Sequence, residues 1–469
     1  MKLFISKTIF YSLLAIAVTA CSNQENNDQK PNIIIIMADD LGWNDVGFHG
    51  SEIKTPNLDQ LASQSLELKR LYSAPVCSPT RAGAITGMYP DRFNLRNHVY
   101  SPLHLGSIPE NELFLPEMLA EEGYKERAAF GKWHLGHSHY IHHPNSRGFT
   151  YFYGHYNGAI DYFTHKRNAE LDWHVNNEPN FDKGYSTDLI GEEAVKFIEN
   201  ASGDAPFFAY VAFNAPHSPM QAKEEDLKMY GYDPDKENED YPVGGSRSGE
   251  REMDIYGMKG RGNTLRQTFS AMVTSMDRSI GNILEAVEEK GIEENTFIWF
   301  LSDNGGVYRF GGNNYPLRGA KHTEWEGGVR VVSLVKWPGV TEPGSSTDEL
   351  IAYFDVFPTI EYIVKGKTEK ETDGINVTPA LKGQALEERY IFLGNSGIVS
   401  KKWKMNQGEL FLIEEDISEE NDISGEYPDI VMDLNERIKE FHKMQPKEDP
   451  PMQPEGWLPP ENWTMPGQP

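Results

Sequence analysis

Asn32-Ile33-Ile34-Ile35-Ile36-Met37-Ala38-Asp39-Asp40 is the stretch that decides the fold. The apolar run is continuous, rich in β-branched residues and free of polar alternation. That pattern marks a strand buried on both faces, as in a parallel sheet. It stops on two adjacent carboxylates. Open α/β sheets bind ligands beyond the carboxyl ends of their strands, so Asp39 and Asp40 stand where such folds place chemistry.

Working outward, the same arrangement recurs. Arg127 to Phe130 is a short strand leading into Gly131-Lys132-Trp133-His134-Leu135-Gly136-His137. Phe207 to Phe213 ends in Asn214-Ala215-Pro216-His217-Ser218-Pro219, and Thr296 to Leu301 ends in Ser302-Asp303-Asn304-Gly305-Gly306. Val329 to Trp337 reads as a further strand. Between them lie amphipathic helices: one opened by Thr55-Pro56, one near Pro116 to Glu122, one from Ser186, and a long one from Thr264 to Lys290 closed by Gly291. Residues 137–182 have weak periodicity and read as long loops; 220–260 read as an inserted polar surface segment. The alternation predicts an α/β fold, a large, mixed, mostly parallel sheet sandwiched by helices, spanning 31–384. Short strands at Glu388 to Leu393, Gly397 to Met405 and Glu409 to Glu414, then a helix from Tyr427 to about Lys443, predict a smaller C-terminal α+β subdomain over 385–445. The Pro-rich tail, 446–469, is extended and either wraps or dangles.

A chain of 469 residues suits one large domain plus a smaller one. Its formal charge of −27 argues against non-specific binding to nucleic acid or anionic lipid, but a small basic pocket can still take a polyanion. At the N-terminus, Lys2 and Lys7 precede an apolar core, Ile9 to Val18, too short to span a bilayer comfortably. Val18-Thr19-Ala20-Cys21 resembles a bacterial lipobox. That implies a signal peptide over 1–20, lipidation of Cys21, a polar tether over 21–30, and an exported lipoprotein anchored on the periplasmic or cell-surface side of the outer membrane. Cys77, in Val76-Cys77-Ser78-Pro79-Thr80-Arg81-Ala82-Gly83, is then left without a disulfide partner. Taken alone it reads as an inert small hydrophobe or as a thiolate favoured by Arg81.

Together these motifs resemble the formylglycine-dependent sulfatases, the large type I family of the alkaline-phosphatase-like superfamily. The resemblance rests on Cys77-Ser78-Pro79-Thr80-Arg81, Gly131 to Gly136, Pro216-His217-Ser218-Pro219, Ser302-Asp303-Asn304-Gly305 and Pro316-Leu317-Arg318-Gly319-Ala320-Lys321, each placed in a loop after a strand. Ala320 replaces a common glycine, and His322 stands where the family usually has a small residue.

The resemblance implies that a formylglycine-generating maturation enzyme oxidises Cys77 to an aldehyde. A hydrate oxygen of that aldehyde attacks the sulfur of a sulfate ester. Asp39, Asp40, Asp303 and Asn304, with residue 77, would bind one Ca²⁺, since an all-oxygen set suits a hard cation rather than zinc. Arg81 would hold the hydrate and the carboxylates, Lys132 and Lys321 the sulfate oxygens, with His134 as base and His217 as acid. His98, Tyr162, Arg167, Arg309 and His322 are candidate sugar contacts. His137, His139, His142 and His143 imitate a metal cluster, but no regular spacing converges them. The expected substrate is a sulfated glycan, on the model of marine algal ulvan or carrageenan. The alternatives are a phosphonate or phosphate monoester hydrolase of the same superfamily, and an inactive glycan-binding lipoprotein.

Overall fold

The computed structural model describes residues 29–96, 98–239, 259–446 and 451–464. The signal peptide (1–20) and Cys21 lie outside the described residues.

The main sheet has ten strands. In chain order they are β1 (Asn32–Ala38), β2 (Leu66–Leu68), β3 (Glu126–Lys132), β4 (Tyr151–His155), β5 (His174–Val175), β6 (Glu178–Pro179), β7 (Phe207–Ala212), β8 (Thr296–Ser302), β9 (Ser333–Lys336) and β10 (Ser345–Thr347). Their order across the sheet is β10-β2-β9-β8-β1-β7-β3-β4-β5-β6. The run β8-β1-β7-β3-β4 is parallel throughout, while β9 is antiparallel to both its neighbours and the β5-β6 hairpin is antiparallel at the far edge. β1 is buried along its whole length, as an unalternating run requires.

Helices cover both faces. They are α1 (Pro56–Ser63), α2 (Cys77–Thr86), α3 (Leu115–Glu121), α4 (Ser186–Asn200), α5 (Leu265–Glu289) and α6 (Val356–Lys365). Successive side chains of β1 point to opposite sides, and each set finds its own core. Ile34 and Ile36 pack with Leu58 and Leu61 of α1, Ile190 and Ala194 of α4, and Met272, Met276 and Ile280 of α5. Ile33, Ile35 and Met37 pack with Ala82 and Ile85 of α2, Leu115 and Met118 of α3, and Phe357 and Ile360 of α6. Among the described residues no helix is long and apolar enough to cross a membrane.

Four local readings change. The stretch taken as loop over 137–182 contains β4, β5 and β6. Polar His155 and the glycine at 154 hide a strand that pairs in parallel with β3. Within 220–260, Glu224–Lys228 is a short helix, and 240–258 lie outside the described residues. The strand expected from Val329 begins only at Ser333, because Glu326–Val329 turns as a short helix. Finally, Cys77 to Arg81 is no loop: it forms the first turns of α2, all of whose residues are buried.

Beyond α6, β11 (Ile391–Phe392), β12 (Ile398–Val399), β13 (Trp403–Asn406) and β14 (Glu409–Leu412) form an antiparallel sheet, followed by α7 (Pro428–His442). The tail wraps. Leu105 N donates to Pro451 O and Gln453 N to Leu103 O, a strand-like pairing with the loop before α3. Trp463 is fully buried, edge-on to His137 and donating from Nε1 to Arg167 O.

Candidate active site

Four parallel strands that are neighbours in the sheet deliver their carboxyl ends to one place. Ala38 pairs with Ser302 across β1 and β8, so Asp39 and Asp40 fall beside Asp303 and Asn304. Phe213 N donates to Met37 O and Asp39 N to Ala215 O, which docks the His217 turn onto the same edge. β3 brings Lys132, its last residue, and His134 just beyond. α2 and the loop ending at Lys321 close the pocket from the side.

The side chains meet in a buried charge network. Lys132 Nζ is 2.7 Å from Asp39 Oδ2 and Lys321 Nζ 2.5 Å from Asp40 Oδ1. Arg81 holds Asp303 Oδ2 from Nε (3.0 Å) and Nη2 (2.7 Å), and donates from Nη1 to Lys132 O at 3.0 Å. Lys321 Nζ also donates to Cys77 Sγ at 3.2 Å. Asn304 Nδ2 donates to Asp40 Oδ1 at 2.7 Å, and Asp40 N to Asp303 Oδ1 at 3.3 Å. His217 Nε2 lies 3.8 Å from Asp40 Oδ2, with its Nδ1 at 2.6 Å from Ser218 O. The structure thus brings together Asp39, Asp40, Cys77, Arg81, Lys132, His217, Asp303, Asn304 and Lys321.

Two observations bear on a cation. Donor atoms of Asp39, Asp40, Cys77 and His217 lie within 4.8 Å of one another. Asp39 Oδ1 and Asn304 Oδ1 are buried without a hydrogen-bond partner among the described residues. Orphaned buried oxygens are expensive unless something electropositive meets them. Burial pushes the Asp39 carboxyl up to about 8, against the pull of Lys132. A hard cation beside it would restore the carboxylate, so these residues fit calcium.

The ionisations of the remaining groups diverge. Burial would raise the Cys77 thiol, but the ammoniums of Lys132 and Lys321 outweigh it and bring it well below its usual range. Burial and the nearby cations Lys132 and Arg81 hold His134 well below the imidazole range, hence neutral. Burial would lower His217 too, yet the carboxylates of Asp39 and Asp40 more than reverse it. Asp40, His134 and His322 all adopt left-handed backbone (φ 69, 59 and 72°), a strained state for non-glycine residues that concentrates at functional sites.

His134 is positioned from behind. Its N–H donates to Tyr156 O, and Ser78 Oγ donates to its carbonyl. A Cβ at Gly158 would stand 2.4 Å from the ring, so only glycine admits this approach. The buried Asp172 carboxylate accepts from Tyr156 N, Asn157 N and Asn157 Nδ2, fixing that turn. Sequence reasoning missed Ser78 and Asp172. Ser78 was visible as a hydroxyl inside the Cys-x-Pro-x-Arg motif, whereas Asp172 carried no signal in a stretch read as loop.

The expected sugar contacts scatter. Tyr162 is buried, its hydroxyl 2.5 Å from Asn214 O and 2.7 Å from His217 O, so it props the His217 turn rather than facing a ligand. Arg167 lies under the tail at Trp463. His98 is exposed; Arg309 is exposed over Phe310. His322 adjoins the cluster, directly after Lys321. His137, His139, His142 and His143 are each held by local partners, Pro102 O, Ile141 N, Ser138 Oγ and His137 O respectively, and form no metal group among the described residues.

Comparison with known proteins agrees with this geometry. The family model named Sulfatase matches residues 31–362, which contain every one of these strand ends. The chain belongs to the sulfatase family. Arylsulfatase J of Mus musculus is 32% identical over 385 residues, covering 80% of this chain and 60% of that protein. N-acetylgalactosamine-6-sulfatase of Homo sapiens is 32% identical over 392 residues, covering 78% of this chain and 68% of that protein. This sulfatase-family chain therefore spans less than two thirds of the mouse relative. The crystal structure of Ps i-CgsB superposes with a TM-score of 0.77 at 32% identity, covering 89% of this chain and 94% of that one. The PsFucS1 sulfatase from Pseudoalteromonas sp. shares the fold, with a TM-score of 0.68 at 22% identity over 90% of this chain and 92% of that one. The expected alkaline-phosphatase-like architecture is borne out.

Proposed function

We propose that this chain is a sulfatase that hydrolyses sulfate esters on a sulfated glycan, using a formylglycine made from Cys77 and one calcium ion. The observation that carries this reading is the convergence of Arg81, Lys132 and Lys321 with Asp39, Asp40, Asp303 and Asn304 around Cys77 Sγ. Calcium, when bound, polarises the ester oxygens, and formylglycine, once formed, supplies an oxygen nucleophile as its hydrate. Asp39, Asp40, Asp303 and Asn304 would hold the ion, with residue 77 beside it.

The chain's own residues do the rest. Lys321 bridges Asp40 and residue 77 and offers its remaining N–H to a sulfate oxygen; Lys132 offers another from the Asp39 side. These donors are buried and preorganised, which strengthens their stabilisation of developing charge. Arg81, fully buried, fixes Asp303 and the end of β3, so the frame does not shift as charge moves. His217 carries the proton that the departing alcohol oxygen needs. His134 is held well below the imidazole range, and its Nδ1, without a hydrogen-bond partner among the described residues, leaves the ring free to accept a proton. A glycan substrate is supported by the relatives: one is named for an N-acetylgalactosamine sulfate, and Ps i-CgsB was solved with k-i-k-neocarrahexaose. Algal polymers such as carrageenan or ulvan are the first to test.

Natively produced protein should show an aldehyde in place of the thiol in the peptide around Cys77. It should also release sulfate from 4-nitrophenyl sulfate and from carrageenan, ulvan or chondroitin sulfate oligosaccharides, and Cys77→Ala should abolish the release. Faster turnover of phosphate or phosphonate esters sinks this reading, as does binding of glycans without turnover. We also propose that the chain is exported and lipid-anchored through Cys21; Cys21→Ser should move it from the detergent to the aqueous phase on partition.

A further inference from the structure

A groove of about 390 Å³ opens beside Cys77. Val76 and His322 line its inner wall, one residue from Cys77 and one from Lys321. Asn395, Ser396 and Gln407, from the C-terminal sheet, line its outer wall.

The walls are built rather than incidental. The Glu324 carboxylate accepts from Asn395 N (2.5 Å), Ser396 N (2.8 Å) and Gly397 N (2.6 Å), so one buried side chain fastens the outer turn to the loop that carries Lys321. A Cβ at Gly394 would sit 2.4 Å from Glu324 Oε1, so the turn closes on the carboxylate only as glycine. Ser396 Oγ lies 2.9 Å from Asn406 Oδ1, which ties in the tight turn that presents Gln407. On the inner side, His322 N donates to Pro75 O at 2.8 Å.

Apart from the Glu324 carboxylate, which is taken up by the outer turn, what the groove offers a ligand is uncharged. The side-chain amides of Asn395 and Gln407 have no hydrogen-bond partner among the described residues, and both residues are exposed. Burial and the adjacent Lys321 ammonium lower His322 below its ordinary value. No lysine or arginine lines the groove. Lys321 is turned to Asp40 and Cys77, and Arg309 acts on His322 from outside the lining. An anion placed here would be partly desolvated beside Glu324 with no cation to meet it, which is unfavourable. Hydroxyl groups, by contrast, match amide and imidazole partners.

Resting on the sulfatase reading, we propose that this groove is a subsite for an uncharged, hydroxyl-bearing sugar residue next to the sugar that carries the scissile sulfate. The catalytic cluster then reads the sulfate, and the C-terminal sheet reads an unsulfated neighbour.

The test compares two kinds of substrate: 4-nitrophenyl sulfate, which carries no neighbouring sugar, and oligosaccharides from carrageenan, ulvan and chondroitin sulfate, with the neighbouring sugar uncharged or bearing a sulfate or carboxylate. The wild-type enzyme should prefer the uncharged neighbour by about tenfold or more in kcat/KM. In Asn395→Ala/Gln407→Ala, the ratio of oligosaccharide to 4-nitrophenyl sulfate kcat/KM should fall about tenfold, through KM. Asn395→Lys should narrow the preference against the charged neighbour. An unchanged ratio, or a preference for the charged neighbour in the wild type, overturns the subsite. So does an enzyme that cleaves 4-nitrophenyl sulfate but none of the oligosaccharides, and that result leaves the sulfatase reading standing. Turnover of neither substrate removes the reading and the subsite together.

Discussion

His134 and His217 are the same residue type in one pocket, and their surroundings drive them apart. His134 faces burial and cations; His217 faces two carboxylates. Groups pushed in opposite directions are suited to opposite proton-transfer roles. The acid assignment has a specific signature. A sugar alkoxide is a poor leaving group and needs a proton, whereas 4-nitrophenolate does not. His217→Ala should therefore lower kcat on a sugar sulfate by about 10²- to 10³-fold, but on 4-nitrophenyl sulfate by no more than about tenfold. Equal losses on both esters would show that His217 only shapes the pocket. Reading these two residues from sequence was possible because each sits in a short motif directly after an apolar strand. Ser78, Asp172 and Glu324 escaped because their importance lies in what they touch. Each is an ordinary polar residue whose partner backbone is 15 to 73 positions away.

At the level of elements, the C-terminal sheet is bound to the main fold by a buried trio. Lys404, on β13, lies 2.8 Å from both Glu326 and Glu419, all three buried. Burial would raise Glu326, but Lys404 and Arg330 outweigh it; burial pushes Glu419 up to about 6. Lys404→Met leaves two buried carboxylates without their shared cation, a change of about 3–5 kcal/mol near neutral pH. The pH dependence follows from the sign. Without Lys404 both carboxyls are raised in the folded chain, so the folded state favours the protonated form. The variant's deficit should therefore be small below the ordinary glutamate range and grow as pH rises through it toward neutrality, as urea unfolding at pH 4.5 and 7.5 would register. The tail makes a second attachment. Trp463→Ala should free it locally, so that the amides of Leu105 and Gln453 exchange faster while those of β1 do not change. Unchanged exchange at Leu105 would mean that the strand pairing alone holds the tail. Continuous apolar runs made β1, β7 and β8 legible, whereas β4 was hidden because its exit residues are Gly154 and His155.

Across the whole molecule, the site is a meeting of distant segments. Asp39 and Asp303 are far apart in sequence, yet parallel pairing sets them side by side. Strand-end motifs gave the composition of the cluster; its outer wall, drawn from the C-terminal sheet, could not be read because that sheet's contacts with the Lys321 loop depend on tertiary packing. A cation bound at this junction links β1 to β8, so it should stabilise the entire fold. Calcium at about 100 times its Kd should add about 2.7 kcal/mol, EDTA should remove it, and Asp39→Asn should blunt the response, all measurable by thermal unfolding. No shift of the midpoint with calcium would count against a metal at this position.

The burial of α2 has a consequence for the order of events in the life of the chain. Cys77 is only 2% exposed, and every residue of the helix that begins with it is packed inside. An enzyme that reads Cys-x-Pro-x-Arg as a linear signal has no access to it once this helix has docked. The conversion proposed for Cys77 would therefore have to run ahead of folding, and the two processes would compete for each newly made chain. On that reading, a molecule that folds first would keep its thiol, correctly shaped but without the nucleophile.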